Sequence, residues 1–362
     1  MKLTYFLRDN GGCGYYRADL PFKTIAASGE AKVFKIEKGD NADHISKGFD
    51  ADVVMIPRVS EEQMITIMKD LQRMGKKVVV DYDDDMFNIS PFSPHYGDFG
   101  TENVVVQHEG QSLVLWEDGR NINLKLNRKR ADAVRKACEL ADMVTTTTSI
   151  CGDVYRAYND NIVELPNCLD LSVWQKLPLK EHEEVRLFWA GGASHYGDWC
   201  LLSEALPIVM RKYPQAKLVL MGSKFDGTLK DIPKDRIEFH QWVPTPAYPY
   251  KIAILNPDIA LIPLEDNTFN RSKSCLKFIE QGALEVPAVC SLVSPYKEVY
   301  TGANGVFIEN NSTKGWVDGI SALIEDKMLR WKIGGESRKV VEQYFNIEKQ
   351  YTKWLNAYRE IL

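Results

Sequence analysis

Residues 270–291 read NRSKSCLKFIEQGALEVPAVCS. The apolar Leu276, Ile279 and Ala283 recur at the spacing of one helix face, and the run after Pro287 is typical of a short buried strand. The stretch therefore predicts a helix followed by a strand at 288–292, and an apolar run at 259–263 predicts another strand before the helix. A strand, a helix and a strand in this order are the repeating unit of a parallel sheet.

The same alternation of short apolar runs and helical patterns extends over the whole chain. In the first half the predicted strands lie at 3–7, 32–37, 52–56, 77–81, 143–148 and 161–165. In the second half they lie at 185–190, 216–221, 236–241, 259–263, 288–292 and 305–308. We expect an α/β protein with two Rossmann-like domains whose parallel sheets face each other across a cleft.

The length of 362 residues also favours two domains. The polar segment 176–184 is the predicted linker between a first domain at 1–175 and a second at 176–345, and a final helix at 346–362 is predicted to complete the first domain. Residues 88–123 lack a clear period and are predicted to form a long loop or insertion. Ser60 is predicted to cap the helix that Gly75 ends.

Composition and charge exclude several classes of protein. The chain is 44% hydrophobic and 26% charged with a formal net charge of -5, which excludes disorder and a general attraction to nucleic acid. No apolar run is long enough to span a membrane and the first residues turn polar at Arg8, which predicts a cytoplasmic protein without a transmembrane segment. The seven cysteines include no C-x-x-C pair, which argues against a zinc site or a disulfide framework.

Two loops of the first half carry candidate residues, because ligands of parallel sheets bind beyond the carboxyl ends of the strands. In the glycine turn at 11–14, Gly12 and Gly14 can offer backbone amides to an anion and Arg17 can add charge, although a tight turn alone would also require glycine. The run DYDDD at 81–85 holds four carboxylates, which need solvent, a metal, sugar hydroxyls or cations to compensate them. Asp83 is the candidate catalytic residue of this run.

Two loops of the second half carry further candidates. In AGGASHYGD at 190–198, the small Gly191, Gly192 and Ser194 let a ligand approach the backbone. His195 is a candidate catalytic residue there, although an isolated histidine can also be a plain cap or surface residue. The loop and helix start at 270–280 are basic and offer positive charge to phosphates, and Lys273 and Lys277 are predicted to form an i,i+4 pair on that helix. Its candidate binding residues are Asn270, Arg271, Ser272, Lys273, Lys277 and Glu280.

The chain as a whole resembles the GT-B glycosyltransferases, and within them family 4. Residues 277–291 are similar to the family's pattern of a glutamate, small residues, a proline and an apolar strand, and LPNCLD at 165–170 is similar to its Pro-Asn-x-x-Asp stretch. The last helix looks like the one that crosses back to the N-terminal domain. The acids at 81–85, followed by Met86 and Phe87, resemble a divergent bacterial and phage branch.

The resemblance implies a retaining, hexosyltransferase-like enzyme whose co-substrate is a nucleotide diphosphate sugar, by preference a UDP-sugar. It implies no other cofactor and no metal. Glu280 would hold the ribose, Arg271 with Lys273 or Lys277 would neutralise the diphosphate, and Asp83 and His195 would contact the donor sugar or the acceptor. The base would be flanked by Gln241, Trp242 and Val243.

The sequence departs from the family at two places and does not identify the acceptor, so alternatives remain for the activity and for the acceptor. The family's glutamate eight positions before Glu280 is Ser272 here, and GGASH at 191–195 replaces its usual arginine and lysine, so an inactive nucleotide-sugar-binding or scaffold protein stays an alternative. Saccharide, lipid-linked and protein acceptors stay open, as does a phage-type modified DNA base, and so does the oligomeric state. The basic stretch at 120–136 suits a DNA backbone or is only a solvated helix face.

Two other enzyme classes are weaker alternatives. In a phosphotransfer enzyme of the haloacid dehalogenase type, Asp81 would be the nucleophile and Asp83 its partner beside a magnesium ion. In a glycosyltransferase of the GT-A type, the same acids would bind a metal, but one domain rather than two similar halves would be expected.

Overall fold

The structure is a computed structural model that describes residues 1–108, 110–180 and 182–362. The chain divides into two compact units. The first consists of Met1–Asn167, Ser272–Ser274 and Gln350–Leu362, and the second of Cys168–Arg271 and Cys275–Lys349. The second unit begins before the segment 176–184 predicted as the linker, in which residue 181 lies outside the described residues.

The first unit is built on a sheet of parallel strands. The strands of this unit are β1 (Lys2–Leu7), β2 (Lys32–Glu37), β3 (Val53–Pro57), β4 (Lys77–Tyr82), β5 (Val104–His108), β6 (Gln111–Trp116), β7 (Met143–Thr146) and β8 (Ile162–Glu164). Its helices are α1 (Gly12–Gly14), α2 (Leu20–Ser28), α3 (Ala42–Gly48), α4 (Glu62–Arg73), α5 (Tyr96–Phe99), α6 (Leu124–Leu140) and α7 (Ser149–Tyr155), with a π-helical turn (Tyr15–Asp19) between α1 and α2. The main sheet has the order β2-β1-β3-β4-β7-β8, so its strand order reverses between β1 and β3.

The second unit contains a second parallel sheet. Its strands are β9 (Val185–Gly191), β10 (Ala216–Gly222), β11 (Ile237–His240), β12 (Ile259–Ile262), β13 (Ala288–Ser291) and β14 (Val306–Ile308). Its helices are α8 (Tyr196–Cys200), α9 (Ala205–Lys212), α10 (Tyr248–Leu255), α11 (Thr268–Arg271), α12 (Leu276–Ala283), α13 (Tyr296–Val299), α14 (Thr313–Glu325) and α15 (Lys327–Tyr344). The sheet order β11-β10-β9-β12-β13-β14 is that of a doubly wound Rossmann sheet, with its switch point between β9 and β12. The last helix, α16 (Ile347–Glu360), belongs to the first unit from Gln350 onward.

Helices cover both faces of the first sheet. Val54 and Val80 pack into a buried cluster with α4 and α6, whereas Val53 and Val79 pack into another with α2 and α16. Because successive residues of a strand point to opposite faces, a strand covered on both sides needs an unbroken apolar run. The predicted α/β fold, with a parallel sheet in each of two Rossmann-like units, is confirmed. Among the described residues, no helix is both long and apolar enough to cross a membrane.

Two local predictions differ from the structure. Ser60 does not cap α4, because that helix begins only at Glu62 and its N-cap position, Glu61, makes no side-chain capping bond. The segment predicted as a long loop contains α5 and the antiparallel hairpin β5–β6. Trp116 at the end of β6 fixes the hairpin, since its ring lies 5.6 Å from that of Tyr96 and its Nε1 donates a hydrogen bond to the Pro91 carbonyl at 2.7 Å.

Candidate functional site

The loops at the switch point of the second unit hold several of the predicted residues. Gly191 ends β9, and a Cβ there would collide with the ring of Trp189, so packing alone requires glycine. A Cβ on Gly192 would meet no atom within 4 Å, which leaves open space at the carboxyl end of the strand. Ser194 lies in the short 3-10 turn that follows. A ligand can therefore approach the backbone at Gly192.

Asp198 joins the loops that follow β9 and β12. Its side chain is 4% exposed, and its Oδ2 accepts a hydrogen bond from Nδ1 of His195 at 2.7 Å. Its Oδ1 accepts hydrogen bonds from the backbone N–H of Glu265 at 2.8 Å and from the side-chain amide of Asn270 at 2.9 Å. One buried carboxylate, which was not predicted, thus holds the predicted residues His195 and Asn270.

Glu280 and Lys277 lie one turn apart on α12 and line the same small cavity. Glu280 is 4% exposed, and its Oε2 accepts a hydrogen bond from the Tyr248 hydroxyl at 3.4 Å. Burial, and after it the charge of Glu280, raises the pKa of Tyr248 well above its ordinary value, which keeps that hydroxyl a neutral donor. The Nζ of Lys277 lies 5.8 Å from the ring centroid of Trp189. Glu280 is therefore a buried carboxylate that lines this cavity.

Trp242 covers the end of β10. Its ring is 5.7 Å from that of Tyr248, and the side chain is 49% exposed. Gly222, which ends β10, has a φ of 99°, and a Cβ there would lie 2.5 Å from the Trp242 ring. The loop with Gln241 and Val243 thus presents a half-exposed aromatic surface beside the half-buried Tyr248, and such a surface suits a planar base.

The basic residues near the start of α12 do not form the predicted cluster. The helix begins at Leu276, so Lys273 lies before it, and the predicted i,i+4 pair with Lys277 is wrong because the helical repeat does not extend that far. Arg271 is half-exposed, and its Nε donates to Oδ1 of Asp266 at 2.6 Å.

Ser272–Ser274 group with the first unit. The Ser272 side chain is fully buried, and its carbonyl oxygen accepts a hydrogen bond from the Thr148 hydroxyl at 3.2 Å. Lys273 interacts electrostatically with Asp84. The contacts that the structure gives for Ser272 and Lys273 are therefore with residues of the first unit.

Arg17 is a buried residue of the first unit. Its guanidinium forms two hydrogen bonds with Asp81, at 3.0 and 2.7 Å, and the two side chains are 2% and 1% exposed. The same group donates to the carbonyl of Leu165 and the side-chain oxygen of Asn167, and it lies 4.7 Å from the ring centroid of Trp354. The guanidinium is enclosed and forms an internal ion pair, although Arg17 also lines the pocket that holds Asp83, so its contribution of charge to a ligand stays a prediction.

Asp9 caps the glycine turn after β1. Its Oδ1 accepts hydrogen bonds from the backbone N–H groups of Gly11, at 2.8 Å, and Gly14, at 3.2 Å. A Cβ on Gly14 would collide with the Asp9 carbonyl oxygen, whereas a Cβ on Gly12 would come no closer than 3.9 Å to Tyr16. The chain itself supplies an anion at this turn, so close packing rather than ligand binding explains Gly14.

Replacing Gly14 with alanine is expected to destabilise the protein by about 1–3 kcal/mol, because the added methyl group has no space beside the backbone. Gly12→Ala is the matched control and should leave stability nearly unchanged, since its Cβ meets only open space and the edge of a ring. Urea denaturation of both variants measures the difference. Equal stability of the two variants would contradict the packing assigned to Gly14.

Arg58 organises the acid cluster at the end of β4. It follows β3 directly with a φ of 49°, a strained conformation for a residue other than glycine. Its Nε donates to Oδ1 of Asp83 at 2.5 Å and its Nη2 to Oδ2 of Asp84 at 3.1 Å. Its backbone N–H donates to the Asp81 carbonyl at 2.8 Å. Arg58 was not predicted, and the signal for it was its place directly after a buried strand at the switch point.

Asp83 is held as a charged carboxylate beside a pocket. Burial would raise the pKa of Asp83, but the charge and hydrogen bond of Arg58, together with the hydrogen bond of Cys13 and the charge of Arg17, outweigh burial and lower that pKa. Burial, and after it the charge of Asp83, raises the pKa of Asp84. Asp83 and Arg58 line a pocket of about 230 Å³ together with Cys13 and Phe99. A fixed carboxylate and guanidinium beside an aromatic ring can bind the hydroxyl groups and the apolar face of a sugar.

The buried acids exclude the haloacid dehalogenase alternative. Asp81 is fully buried, and its oxygens are bound by Arg17 and by the Thr145 hydroxyl, at 2.6 Å, so it cannot act as a nucleophile. Asp85 is also buried and binds the backbone N–H groups of Phe87 and Asn88. In the part of the chain that the structure describes, no group of histidine, cysteine and acidic residues is placed to hold a metal ion.

Most of the basic residues on α6 have partners within the first unit. The partners are Thr101 for Arg128, Asp98 for Arg130, Asp132 for Arg135 and Glu62 for Lys136. Charges engaged in this way are less available to a nucleic acid backbone, so the alternative of a solvated helix face is favoured over a DNA-binding patch.

Comparison with known proteins agrees with this geometry. Residues 184–326 match a family model described as Glycosyl transferases group 1. No curated protein sequence matches the chain.

Solved structures share the fold at low sequence identity. A sucrose-phosphate synthase from Thermosynechococcus elongatus is 14% identical with a TM-score of 0.66 over 100% of this chain and 99% of that chain. Anabaena HepE in complex with UDP and glucose is 14% identical with a TM-score of 0.65 over 98% and 99%. A glycosyltransferase from Rickettsia africae is 12% identical with a TM-score of 0.67 over 99% and 98%. The predicted resemblance to the GT-B glycosyltransferases is confirmed.

Proposed function

We propose that this protein, a glycosyltransferase by its family match and its fold, transfers a sugar from a nucleotide diphosphate donor with retention of the anomeric configuration. A UDP-sugar is the preferred donor, because structures of the similar HepE contain UDP and UDP-glucose. The observation that carries the proposal is the buried carboxylate of Glu280 beside Tyr248 at the switch point of the second unit.

The donor site is assigned to the loops of the second unit. Glu280 would accept hydrogen bonds from the ribose hydroxyls, since its carboxylate lines the cavity beside Tyr248 and a nucleoside supplies two hydroxyl donors together. Trp242 would cover the base. Lys277 and the open backbone at Gly192 would meet the diphosphate, whose developing negative charge must be stabilised when the glycosidic bond breaks.

The acceptor site is assigned to the pocket of the first unit that Asp83 and Arg58 line. Carboxylates there favour hydroxyl donors over phosphates, and the cations of α6 are mostly engaged, so a saccharide is preferred over DNA. Asp83 would accept a hydrogen bond from the attacking hydroxyl. The cytoplasmic location and the likeness to a phage branch stay predictions from the sequence.

Thermal unfolding of the full chain with UDP-, GDP- and ADP-sugars tests the donor. A ligand that binds only the folded state stabilises it by about 2.7 kcal/mol at a hundredfold excess over Kd. We expect stabilisation by a UDP-sugar and release of UDP when a saccharide acceptor is added. The absence of stabilisation by all three donor classes would contradict the proposal.

The same experiment separates the enzyme from an inactive binding protein. An inactive scaffold would be stabilised by the donor but would release no nucleoside diphosphate, with or without an acceptor. Hydrolysis or transfer of the bound donor would exclude that alternative.

A further inference from the structure

Asp198 lies at the centre of a hydrogen-bond network that joins the loops after β9 and β12, two neighbouring strands of the second sheet. It lies on α8, and the residues it binds come from two different loops. His195 belongs to the turn after β9, and Glu265 and Asn270 belong to the segment after β12. A carboxylate that binds both sides of a switch point fixes the distance between the two loops.

The network also determines how the His195 ring is oriented. An ionised carboxylate can only accept hydrogen bonds, so the Nδ1 of His195 must carry the hydrogen in the 2.7 Å contact with Asp198. Asp198 is 4% exposed, whereas His195 is 19% exposed. The ring therefore turns Nδ1 toward the buried Asp198, and Nε2 is the ring nitrogen farther from that contact.

The surroundings of His195 fit an anionic ligand at this end of the strand. The first strand–helix turn of a doubly wound sheet is where such folds bind the pyrophosphate of nucleotides. β9 is that first strand here, and Gly192 beside His195 has open space around its Cα. With a hydrogen on both ring nitrogens the imidazole is a cation, which suits a diphosphate oxygen.

We propose that Asp198 is a positioning residue. It directs Nε2 of His195 onto the diphosphate of the donor and fixes the distance between the loops that follow β9 and β12. This inference rests on the proposed function. It assigns the role of His195 to the leaving diphosphate and not to the acceptor. The residue in contact with the ligand is His195, and Asp198 acts through it.

Binding of UDP and of uridine to the full-length protein tests the proposal, because uridine lacks the diphosphate. His195→Ala and Asp198→Asn should each weaken UDP binding by about 10- to 100-fold, the size expected for a charge-assisted hydrogen bond. Uridine binding should stay unchanged. Equal losses for UDP and uridine, or no loss for either, would overturn the proposal.

Two isosteric replacements distinguish contact from simple packing. The amide nitrogen of glutamine can occupy the place of Nε2, whereas that of asparagine lies nearer the place of Nδ1. We therefore expect His195→Gln to retain more UDP affinity than His195→Asn. The reverse order would overturn the assignment of Nε2.

A double-mutant cycle separates positioning from stability. If Asp198 acts through His195, the double variant should bind UDP no more weakly than His195→Ala alone. Additive losses would show that Asp198 acts independently and would contradict the proposal. Thermal unfolding of each variant shows whether it is folded. If Asp198→Asn does not fold, His195→Ala still tests the contact with the diphosphate, because that variant keeps the hydrogen bonds of Asp198 to Glu265 and Asn270.

Different results would contradict the proposed function and the inference about Asp198. Failure of the unaltered protein to bind UDP, GDP or ADP would contradict nucleotide-sugar transfer itself. Normal UDP binding and transfer with unaltered UDP affinity in His195→Ala would contradict only the inference about Asp198 and His195.

Discussion

Replacing Arg17 with methionine is expected to lower the free energy of unfolding by about 3–5 kcal/mol. The substitution removes the guanidinium but leaves Asp81 at 1% exposure with its charge uncompensated. The Thr145 hydroxyl is a neutral donor and cannot replace the lost cation. Urea denaturation of the full-length chain, followed by circular dichroism, measures the change.

An exposed ion pair provides the control for this substitution. Arg73 bonds Asp70 at 2.8 Å, but its side chain is 76% exposed, so Arg73→Met should leave stability nearly unchanged. A second substitution, Asp81→Leu in the Arg17→Met background, should recover part of the loss because it removes the unpaired charge. Similar stability of Arg17→Met and Arg73→Met would contradict the structural role of Arg17.

Replacing Glu280 with glutamine is expected to weaken nucleotide-sugar binding by roughly 10- to 100-fold, because a hydrogen bond to a charged group contributes about 1.5–3 kcal/mol. Glutamine keeps the volume of the buried side chain but has no charge and only one acceptor oxygen. The Tyr248 hydroxyl can still donate to that oxygen, so the fold should persist. Calorimetric titration with UDP and with the donor sugar measures the loss.

Glu285→Gln is the matched control, five positions along the chain in the same unit. Its carboxylate is 47% exposed, bonds Lys176 at 3.3 Å and precedes β13, so it lies at the amino end of the strands. We expect this variant to bind the donor as tightly as the unaltered protein. Equal losses of donor affinity in the two glutamine variants would contradict the proposal that Glu280 binds the ribose.

The long strands and helices of this fold can be predicted from the sequence, because an apolar run or a helical repeat is enough to identify each of them. The strand at Lys77–Tyr82 is built on the apolar run at 78–80, and the helical pattern at Leu124–Leu140 repeats over several turns. The short helices Ala42–Gly48 and Ser149–Tyr155 span too few residues to show a helical period. Side-chain caps mark their starts, since Asn41 and Thr148 accept hydrogen bonds from backbone N–H groups three residues later.

The candidate site was predictable only at the level of loops. Strand ends identify where candidate residues gather: His195 and Trp242 follow β9 and β11 directly, and Lys277 and Glu280 lie on α12, the helix before β13. Partner choice depends on contacts between residues distant in sequence, which no local pattern encodes. Arg17 is the clearest case, because its partner Asp81 lies 64 residues away in β4.

The pairing of charges around the pocket of the first unit has a consequence for ligand chemistry. Arg17 is matched by Asp81, Arg58 by Asp83, and Arg8 by Glu61 at 2.7 Å. A pocket neutralised from within gathers no counterion atmosphere, so a ligand that enters it displaces water rather than salt. We therefore expect a ligand to bind this pocket with little dependence on ionic strength, whereas the diphosphate binding proposed for the second unit should weaken as salt is added.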